Sequence, residues 1–281
     1  MINPRYGHTG ILYQKKFYIF GGKQKSHNFT GFGDLEIYSL QDNKWIIPSV
    51  YTKSYLKLRK NHVAELVGNH MFVHGGISED GDYLNDSYLL GFHPIKWSKC
   101  IIKKSLGGDK GTDEIDISPF LSGHACCLVL SDEFNNNKLN IYNIPTLKSG
   151  SKILSRIKHS GLYFFGGKTM VGNTEVVTND LWILTIGNKP LEWIKPELAG
   201  TPPEPRYLHT MNFFEEGNYL IIHGGRNDQN NAEFAYKDFF ILELSKLEWI
   251  QVKIKPAWSG ILTVHNRCGH SAIIYGNNKT I

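Results

Sequence analysis

Short runs of alternating apolar and polar residues fill most of the chain, and four of them end at a pair of adjacent glycines. In the first, PRYGHTGILYQKKFYIFGG from Pro4 to Gly22, two apolar runs flank Lys15 and Lys16. Glycine within a strand pattern costs packing and backbone entropy, so a recurring pair indicates a structural requirement. The four pairs are Gly21-Gly22, Gly75-Gly76, Gly166-Gly167 and Gly224-Gly225.

Four other markers keep a fixed order around these pairs, which shows that the chain is built from repeats. A histidine precedes each pair, usually with an arginine three residues before it, and an aspartate and then a tryptophan follow. The histidines are His8, His62, His124 and His209, with a fifth at His270. The arginines are Arg5, Arg59, Arg206 and Arg267, and Leu121 stands in the remaining slot. The later markers are Asp34, Asp86, Asp180, Asp238, Trp45, Trp97, Trp193 and Trp249.

Each repeat reads as four short strands. In the first repeat these are HTGILY, KFYIFGG, DLEIYSL and NKWIIP, whose length and β-branched or aromatic content favour strands over helices. Gly68-Asn69 and Asp42-Asn43 are typical of hairpin turns between such strands. The sequence therefore predicts an all-β fold.

The glycine pair after an apolar strand, the later aromatic strand and the tryptophan resemble kelch repeats, over nearly the whole chain. The resemblance implies a kelch-type β-propeller in one domain, 1–281, with four complete four-stranded blades and the first strand of a fifth. Kelch rings usually close with six or seven blades, so we expect this one to be part of such a ring. The expected blades span about 5–50, 57–100, 119–196 and 204–253, with a partial blade at 265–281.

The glycine pairs are interpreted as sharp turns in a crowded stack of blades, where a positive φ and the lack of a Cβ atom are needed. The repeated arginine, histidine, aspartate and tryptophan positions are expected to pack one blade against the next and to satisfy buried backbone groups. In the third repeat, residues 132–158 are an insertion with several lysines. It is interpreted as a tolerated surface loop, with a partner-contacting arm as the alternative.

Composition excludes several classes of function. A net charge of +5 with no lysine or arginine block gives no reason to expect nucleic-acid binding, and no apolar span is long enough to cross a membrane. Cys100, Cys126, Cys127 and Cys268 lack the spacing of a disulfide framework, which favours reduced thiols in a cytoplasmic protein. Association with the cytoskeleton or a cilium is the alternative location.

No motif of catalysis is present, and the protein is not expected to be an enzyme. The chain has no zinc-binding Cys/His spacing, no G-x-S-x-G and no phosphate loop, so no metal and no cofactor are predicted. Some enzymes use kelch-like propellers, including a copper radical oxidase with a crosslinked Cys and Tyr. A catalytic or metal-binding propeller, or the regulatory domain of a fused enzyme, is therefore the rival hypothesis.

With strands a to d counted from the axis outward, the b–c loops and the connections from d to the next a share one face. Kelch proteins use that face to bind peptides and protein surfaces, so the resemblance implies an interaction module, scaffold or adaptor with a protein or peptide partner. Arginine and aromatic side chains on such loops make good binding hot spots. The candidate binding residues are Lys23, Lys25, His27, Phe29, Phe32, Tyr83, Arg226, Asn227, Asp228, Phe234 and Tyr236.

Overall fold

The structure, a computed structural model, describes residues 4–25, 30–32, 34–46, 48, 56–103, 105–107, 113–115, 117–131, 157–186, 190–229, 235–253 and 265–274. Every regular element in these ranges is a β-strand. No described helix is long and apolar enough to span a bilayer. Most of the insertion, residues 132–156, lies outside the described residues.

Four sheets of antiparallel strands form four propeller blades, which confirms the predicted fold. Blade 1 contains β1 (Arg5–Tyr13), β2 (Lys16–Lys25), β4 (Glu36–Ser39) and β5 (Lys44–Ile46), with β3 (Thr30–Phe32) paired to β2. Blade 2 contains β7 (Val63–Val67), β8 (His70–His74), β10 (Ser87–Phe92) and β11 (Ile95–Lys99). Blade 3 contains β14 (Ala125–Val129), β15 (Gly161–Val171), β16 (Thr174–Thr185) and β17 (Glu192–Ile194). Blade 4 contains β19 (Thr210–Phe214), β20 (Tyr219–His223), β21 (Phe239–Glu243) and β22 (Glu248–Val252).

Three further pairings involve shorter strands. In chain order they are β6 (Arg59–Lys60), which pairs with β9 (Ile77–Ser78), then β12 (Ser105–Gly107), which pairs with β13 (Asp113–Ile115), and β18 (Ala199–Gly200), which runs parallel to β22. The first strand of each blade is the innermost, because β1 contacts β7, β7 contacts β14 and β14 contacts β19.

A head-to-tail series of backbone hydrogen bonds links these inner strands around the axis. Asn61 N–H donates to the Gly7 carbonyl, and Gly123 N–H donates to the Asn61 carbonyl, both over 2.8 Å. Leu208 continues the series to Gly123, and Gly269 continues it to Leu208. All five residues have φ between +55° and +69°, so one left-handed residue per repeat turns its peptide toward the neighbouring blade.

The glycine pairs lie where neighbouring blades approach most closely, and all eight glycines have positive φ. A Cβ atom added to Gly166 would lie 2.6 Å from the carbonyl oxygen of Arg206 in the next blade. One added to Gly76 would lie 2.7 Å from the Lys60 oxygen and 2.9 Å from the His62 Cβ of its own blade. The first glycine of each pair thus faces the next blade, and the second faces the histidine of its own blade.

The residue before each of the first three glycine pairs fills a slot between the histidine and the tryptophan of the next blade. Phe20 has its ring centroid 5.3 Å from that of His62 and 4.9 Å from that of Trp97. Phe165 repeats the arrangement between His209 and Trp249, at 5.4 Å and 5.0 Å. In blade 2 the slot holds a histidine, His74, at 5.8 Å from His124 and 4.9 Å from Trp193. These contacts carry much of the packing between blades.

The repeat arginines of blades 2 and 4 are buried and hold the glycine pair of their own blade. Arg59 donates to the Gly75 carbonyl over 3.0 Å and binds both carboxylate oxygens of Asp86. Arg206 makes the same bonds to Gly224 and Asp238, and both arginines are fully buried. A buried charge needs such pairing to offset its loss of hydration.

The structure differs from the repeat pattern in three places. Trp45 is 43% exposed, because no described strand covers that side of blade 1. Residues 265–274 hold the position of a fifth repeat, with Gly225 N–H bonded to the Arg267 carbonyl, but they contain no assigned strand. The segment from Lys168 to Asn179 follows a glycine pair, where the repeat pattern predicts the second strand to end, but it extends β15 and β16 into a long hairpin. Its β-branched residues suit strands, and Gly172, at φ +60°, permits a two-residue turn. A ring of six or seven blades stays a prediction.

Replacing Gly76 with alanine should destabilise the fold far more than replacing Gly81. The two glycines have nearly the same φ, +94° and +92°, but no atom lies within 4 Å of a Cβ added at Gly81. We expect Gly81→Ala to lower the free energy of unfolding by about 1 kcal/mol, through the left-handed backbone alone. Gly76→Ala should lower it by about 3 kcal/mol or more, because the added Cβ atom also meets its neighbours. Urea unfolding of both variants checks this. Equal losses would show that the approach of the blades is not what requires the glycine pair.

The buried histidines should make the fold less stable in mild acid. Burial holds the pKa of His62 and His124 well below the ordinary value, and lowers that of His74 to about 4 and that of His209 to about 3. These side chains stay neutral in the folded chain while the unfolded chain takes up protons below pH 6.5, so stability falls as the pH drops from about 7 toward 4.

His74→Phe isolates one of these histidines, because blades 1 and 3 carry Phe20 and Phe165 in the same slot. His74 Nε2–H donates to the Pro119 carbonyl, so Nδ1 is left to accept from the Ser87 hydroxyl. The variant lacks those bonds at every pH. Between pH 7.5 and pH 5, however, its free energy of unfolding should fall by about 2 kcal/mol less than that of the wild type. Urea midpoints at the two pH values test this, and parallel losses in both proteins would contradict it.

Candidate functional site

The loops at the glycine pairs and the segments that lead into the inner strands lie on one face, here called the loop face. Backbone bridges join them: Ser122 pairs with Lys168, and Tyr207 pairs with Arg226. The a–b turns lie at the other ends of the same strands and form the opposite face. The chain therefore presents two separate surfaces.

Six side chains of blades 2, 3 and 4 meet on the loop face and form what we call the loop-face cluster. Its members are Tyr83, Lys168, Glu175, Tyr207, Arg226 and Asp228. Lys168 lies at the centre, with its Nζ 2.7 Å from Glu175 Oε1 and 3.6 Å from Asp228 Oδ2. One tyrosine hydroxyl donates to each carboxylate: Tyr83 to Glu175, and Tyr207 to Asp228 over 2.8 Å.

Cations also lie over an aromatic ring in this cluster. Lys168 Nζ is 4.4 Å from the centroid of the Tyr207 ring, and the Arg226 guanidinium is 5.6 Å from it. The second cation lies 3.9 Å from Asp228. The loops of three successive blades are thus joined by charge-assisted bonds and by cation–π contacts.

Contacts within the loop-face cluster shift the pKa values of its carboxylates and of its tyrosine hydroxyls. Burial raises the pKa of Glu175, but hydrogen bonds from Lys168 and Tyr83 outweigh it and leave that pKa below its ordinary value. The pKa of Asp228 is lowered in the same way, against burial, by Tyr207 and Lys168. Burial and the neighbouring carboxylate raise the pKa of Tyr83, so the phenol stays protonated and donates.

A cavity of about 670 Å³ lies next to the cluster, between the b–c loop of blade 2 and the β15–β16 hairpin. We call it the blade 2–3 groove. Its lining combines exposed apolar side chains, Phe120 at 46% and Met170 at 39%, with charged ones. The full lining is Lys57, Gly81, Asp82, Tyr83, Leu84, Asn85, Asp86, Phe120 and Met170.

A second cavity of about 610 Å³ lies at the axis and is lined by the five repeat histidines. Burial lowers the pKa of each of them, so they are neutral at pH 7. In the part of the chain that the structure describes, no group of three or more His, Cys, Asp or Glu side chains is placed to hold a metal ion.

The predicted binding residues whose side chains the structure describes divide into three sets. Tyr83, Arg226 and Asp228 come together in the loop-face cluster. Asn227 and Tyr236 support the loop instead: Asn227 is buried and accepts from Gln229 N–H, and the Tyr236 ring lies 4.3 Å from the Arg206 guanidinium. Lys23 lies apart on blade 1, where β2 pairs it with Tyr6 and Phe32.

The remaining candidates cannot be placed. His27, Phe29 and Phe234 lie outside the described residues, and Lys25 and Phe32 are described by their backbone alone. Sequence reasoning missed Lys168, Glu175 and Tyr207. A signal for Lys168 was present, since it follows a glycine pair in the same register as Lys23 and Arg226.

Comparison with known proteins identifies the family. Residues 1–113 and 135–281 match the model of the KLHDC2/KLHL20/DRC7 Kelch-repeats domain. The chain belongs to this kelch-repeat family. The resemblance that the glycine pairs and tryptophans indicated is therefore confirmed.

The kelch-repeat domain is also similar to larger proteins. It is 28% identical to Host cell factor 2 of Homo sapiens, over 87% of this chain and 35% of that protein. It is 26% identical to Host cell factor 1 of Homo sapiens, over 79% of this chain and 12% of that protein. It is 24% identical to Acyl-CoA-binding domain-containing protein 5 of Arabidopsis thaliana, over 98% of this chain and 35% of that protein. The chain therefore spans about a third or less of these relatives.

A solved structure, titled "Structure of YjhT", shares the fold of the kelch-repeat domain. It aligns with a TM-score of 0.57 and 15% identity, over 88% of this chain and 70% of that one. At this identity the likeness concerns the fold alone.

Two tyrosine variants should separate the bonds of the loop-face cluster. Tyr83→Phe removes the donor to Glu175 and should raise the pKa of that carboxyl, leaving Asp228 almost unchanged. Tyr207→Phe should do the reverse. Carboxyl ¹³C chemical shifts followed through an acid titration report both groups in each variant. If neither phenylalanine moves the pKa of its own carboxylate, the tyrosine hydroxyls do not bind as described.

Proposed function

We propose that this kelch-repeat domain is a non-catalytic interaction module that binds a protein or peptide partner through its loop face. The observation that carries the proposal is the loop-face cluster, in which side chains from three blades join the b–c and d–a segments into one surface. The family match and the relatives support a role of this kind.

A joined surface favours binding because it is already ordered. Loops that must be immobilised on association lose conformational entropy, and that cost reduces the affinity. Here Glu175 and Gln229 also connect blades 3 and 4, since the Gln229 side chain bonds the Glu175 carbonyl and the Val177 N–H. The surface therefore offers tyrosine and arginine side chains that lose little further conformational entropy when a partner binds.

The opposite face has a different character. Its connections are mostly tight turns, such as Gln14-Lys15 in blade 1 and Gly68-Asn69 in blade 2. The blade 2–3 groove, by contrast, lies on the loop face. We therefore place the partner on the loop face, within a cytoplasmic scaffold or adaptor.

Lysine crosslinking tests which face binds. The tagged domain is used to capture its partners from an extract of the source organism, and an amine-reactive crosslinker is applied before mass spectrometry. Lys23 and Lys57 report the loop face, and Lys15 and Lys246 report the opposite face. We expect crosslinks to the partner at Lys23 and Lys57.

Single Lys→Arg variants provide the matched controls, because arginine keeps the charge but does not react with the crosslinker. Lys57→Arg should remove the crosslink at that position and leave the one at Lys23, and Lys15→Arg should change neither. Crosslinks concentrated at Lys15 and Lys246 would contradict the proposed binding face, as would a domain that captures no protein above a tag-only control.

A further inference from the structure

We infer that the blade 2–3 groove binds an extended peptide segment in which a lysine or arginine lies next to a large apolar residue. The inference rests on the proposed function and names the chemistry of the partner at one site. Three features of the groove carry it: its charge, its exposed apolar side chains and a free strand edge.

The b–c loop of blade 2, which forms one side of the groove, is acidic although the chain as a whole is basic. This loop, residues 77–86, contains no cation and four acids, Glu79, Asp80, Asp82 and Asp86, of which the last two pair with Lys57 and Arg59. This leaves a local charge of −2 in a chain of net charge +5.

Two of these acids are in ion pairs, and the other two form none with the residues that the structure describes. Buried Arg59 neutralises Asp86, and Lys57 lies 3.0 Å from Asp82, whose side chain is 58% exposed. Glu79 and Asp80 are exposed on the same loop, and neither forms a salt bridge to any residue that the structure describes. A cationic side chain that enters here therefore gains attraction without first displacing a strong ion pair.

An apolar contact surface lies next to these charges. Phe120 and Met170 both line the groove and expose about two fifths of their surface, and Tyr83 lines it from blade 2. Methionine adapts its shape to irregular ligands, and an aromatic ring offers a rigid contact. One large apolar side chain of a peptide would cover both.

The β15–β16 hairpin also offers unpaired backbone groups. Lys168 exchanges both of its backbone hydrogen bonds with Ser122, so strand alternation directs the N–H and C=O of Met170 toward the same edge. Among the described residues no partner bonds them there. An extended peptide can bond such an edge, with its alternate side chains pointing into the groove.

These features together exclude an acidic occupant and favour a basic and apolar one. A phosphorylated or acidic segment would be repelled by Glu79, Asp80 and Asp82. A purely apolar segment would leave those acids uncompensated. A segment with a basic residue beside an apolar one satisfies the acids, the apolar walls and the strand edge at once.

The test is a selection of random 12-residue peptides displayed on phage against the purified chain, followed by fluorescence anisotropy with synthetic versions of the selected peptides. We expect enrichment of lysine or arginine adjacent to a large apolar residue. Asp82→Lys should weaken binding of such a peptide by about tenfold or more. Glu79→Lys combined with Asp80→Lys should do the same through side chains that form no salt bridge with a described residue.

Glu216→Lys is the matched control, since it makes the same charge reversal on the exposed a–b turn of blade 4 and should change binding less than about twofold. The inference would be overturned if the selected peptides lack the basic residue. It would also be overturned if they bind the groove variants normally but bind Arg226→Glu more weakly. Either outcome would leave the proposed function standing. If no peptide is enriched and the crosslinking experiment also finds no partner at the loop face, both fail. Unchanged melting temperatures exclude misfolding as the cause of any loss.

Discussion

The close approach of neighbouring blades at the glycine pairs is the constraint on which the other features depend. Because Gly75 and Gly76 have no Cβ atom, the Leu121 carbonyl of the next blade and His62 of their own blade can both reach the turn. The same turn presents the Gly75 carbonyl to Arg59. The loops of the binding face begin directly after this turn, so their starting points are fixed by the packing of the blades.

Buried charge then determines how firmly each loop is held. In blades 2 and 4 a fully buried arginine binds an aspartate with two bonds, and removing either partner would strand a charge in the interior. Blade 3 has Leu121 in place of the arginine, and its aspartate, Asp180, pairs with the exposed Lys195 instead. In that blade the b–c segment is held by strand pairing along the hairpin, which is a different solution to the same problem.

The repeats could be predicted from the sequence because glycine, arginine and tryptophan recur at fixed spacing and each has a local reason to be there. The strand character of Lys168–Asn179 was missed because polar residues such as Lys168 and Asn179 are as common in loops as on exposed strands. The role of Glu175 and Tyr207 could not be predicted either. Their contacts join residues far apart in the chain, and only the curvature of the blades decides which loops meet. The exposure of Trp45 likewise depends on what covers blade 1, and the pattern of its own repeat contains no sign of that.

The head-to-tail hydrogen bonds around the axis have a consequence for how such a chain can change. Each blade offers one carbonyl to the blade after it and takes one from the blade before it, through a single left-handed residue such as Asn61 or Gly123. The backbone bonds of the described junctions are therefore alike, although the side chains that pack there differ. Tandem duplication or loss of a whole blade preserves this pattern of backbone bonds, so the number of blades can vary over evolution while the backbone contacts between them stay the same.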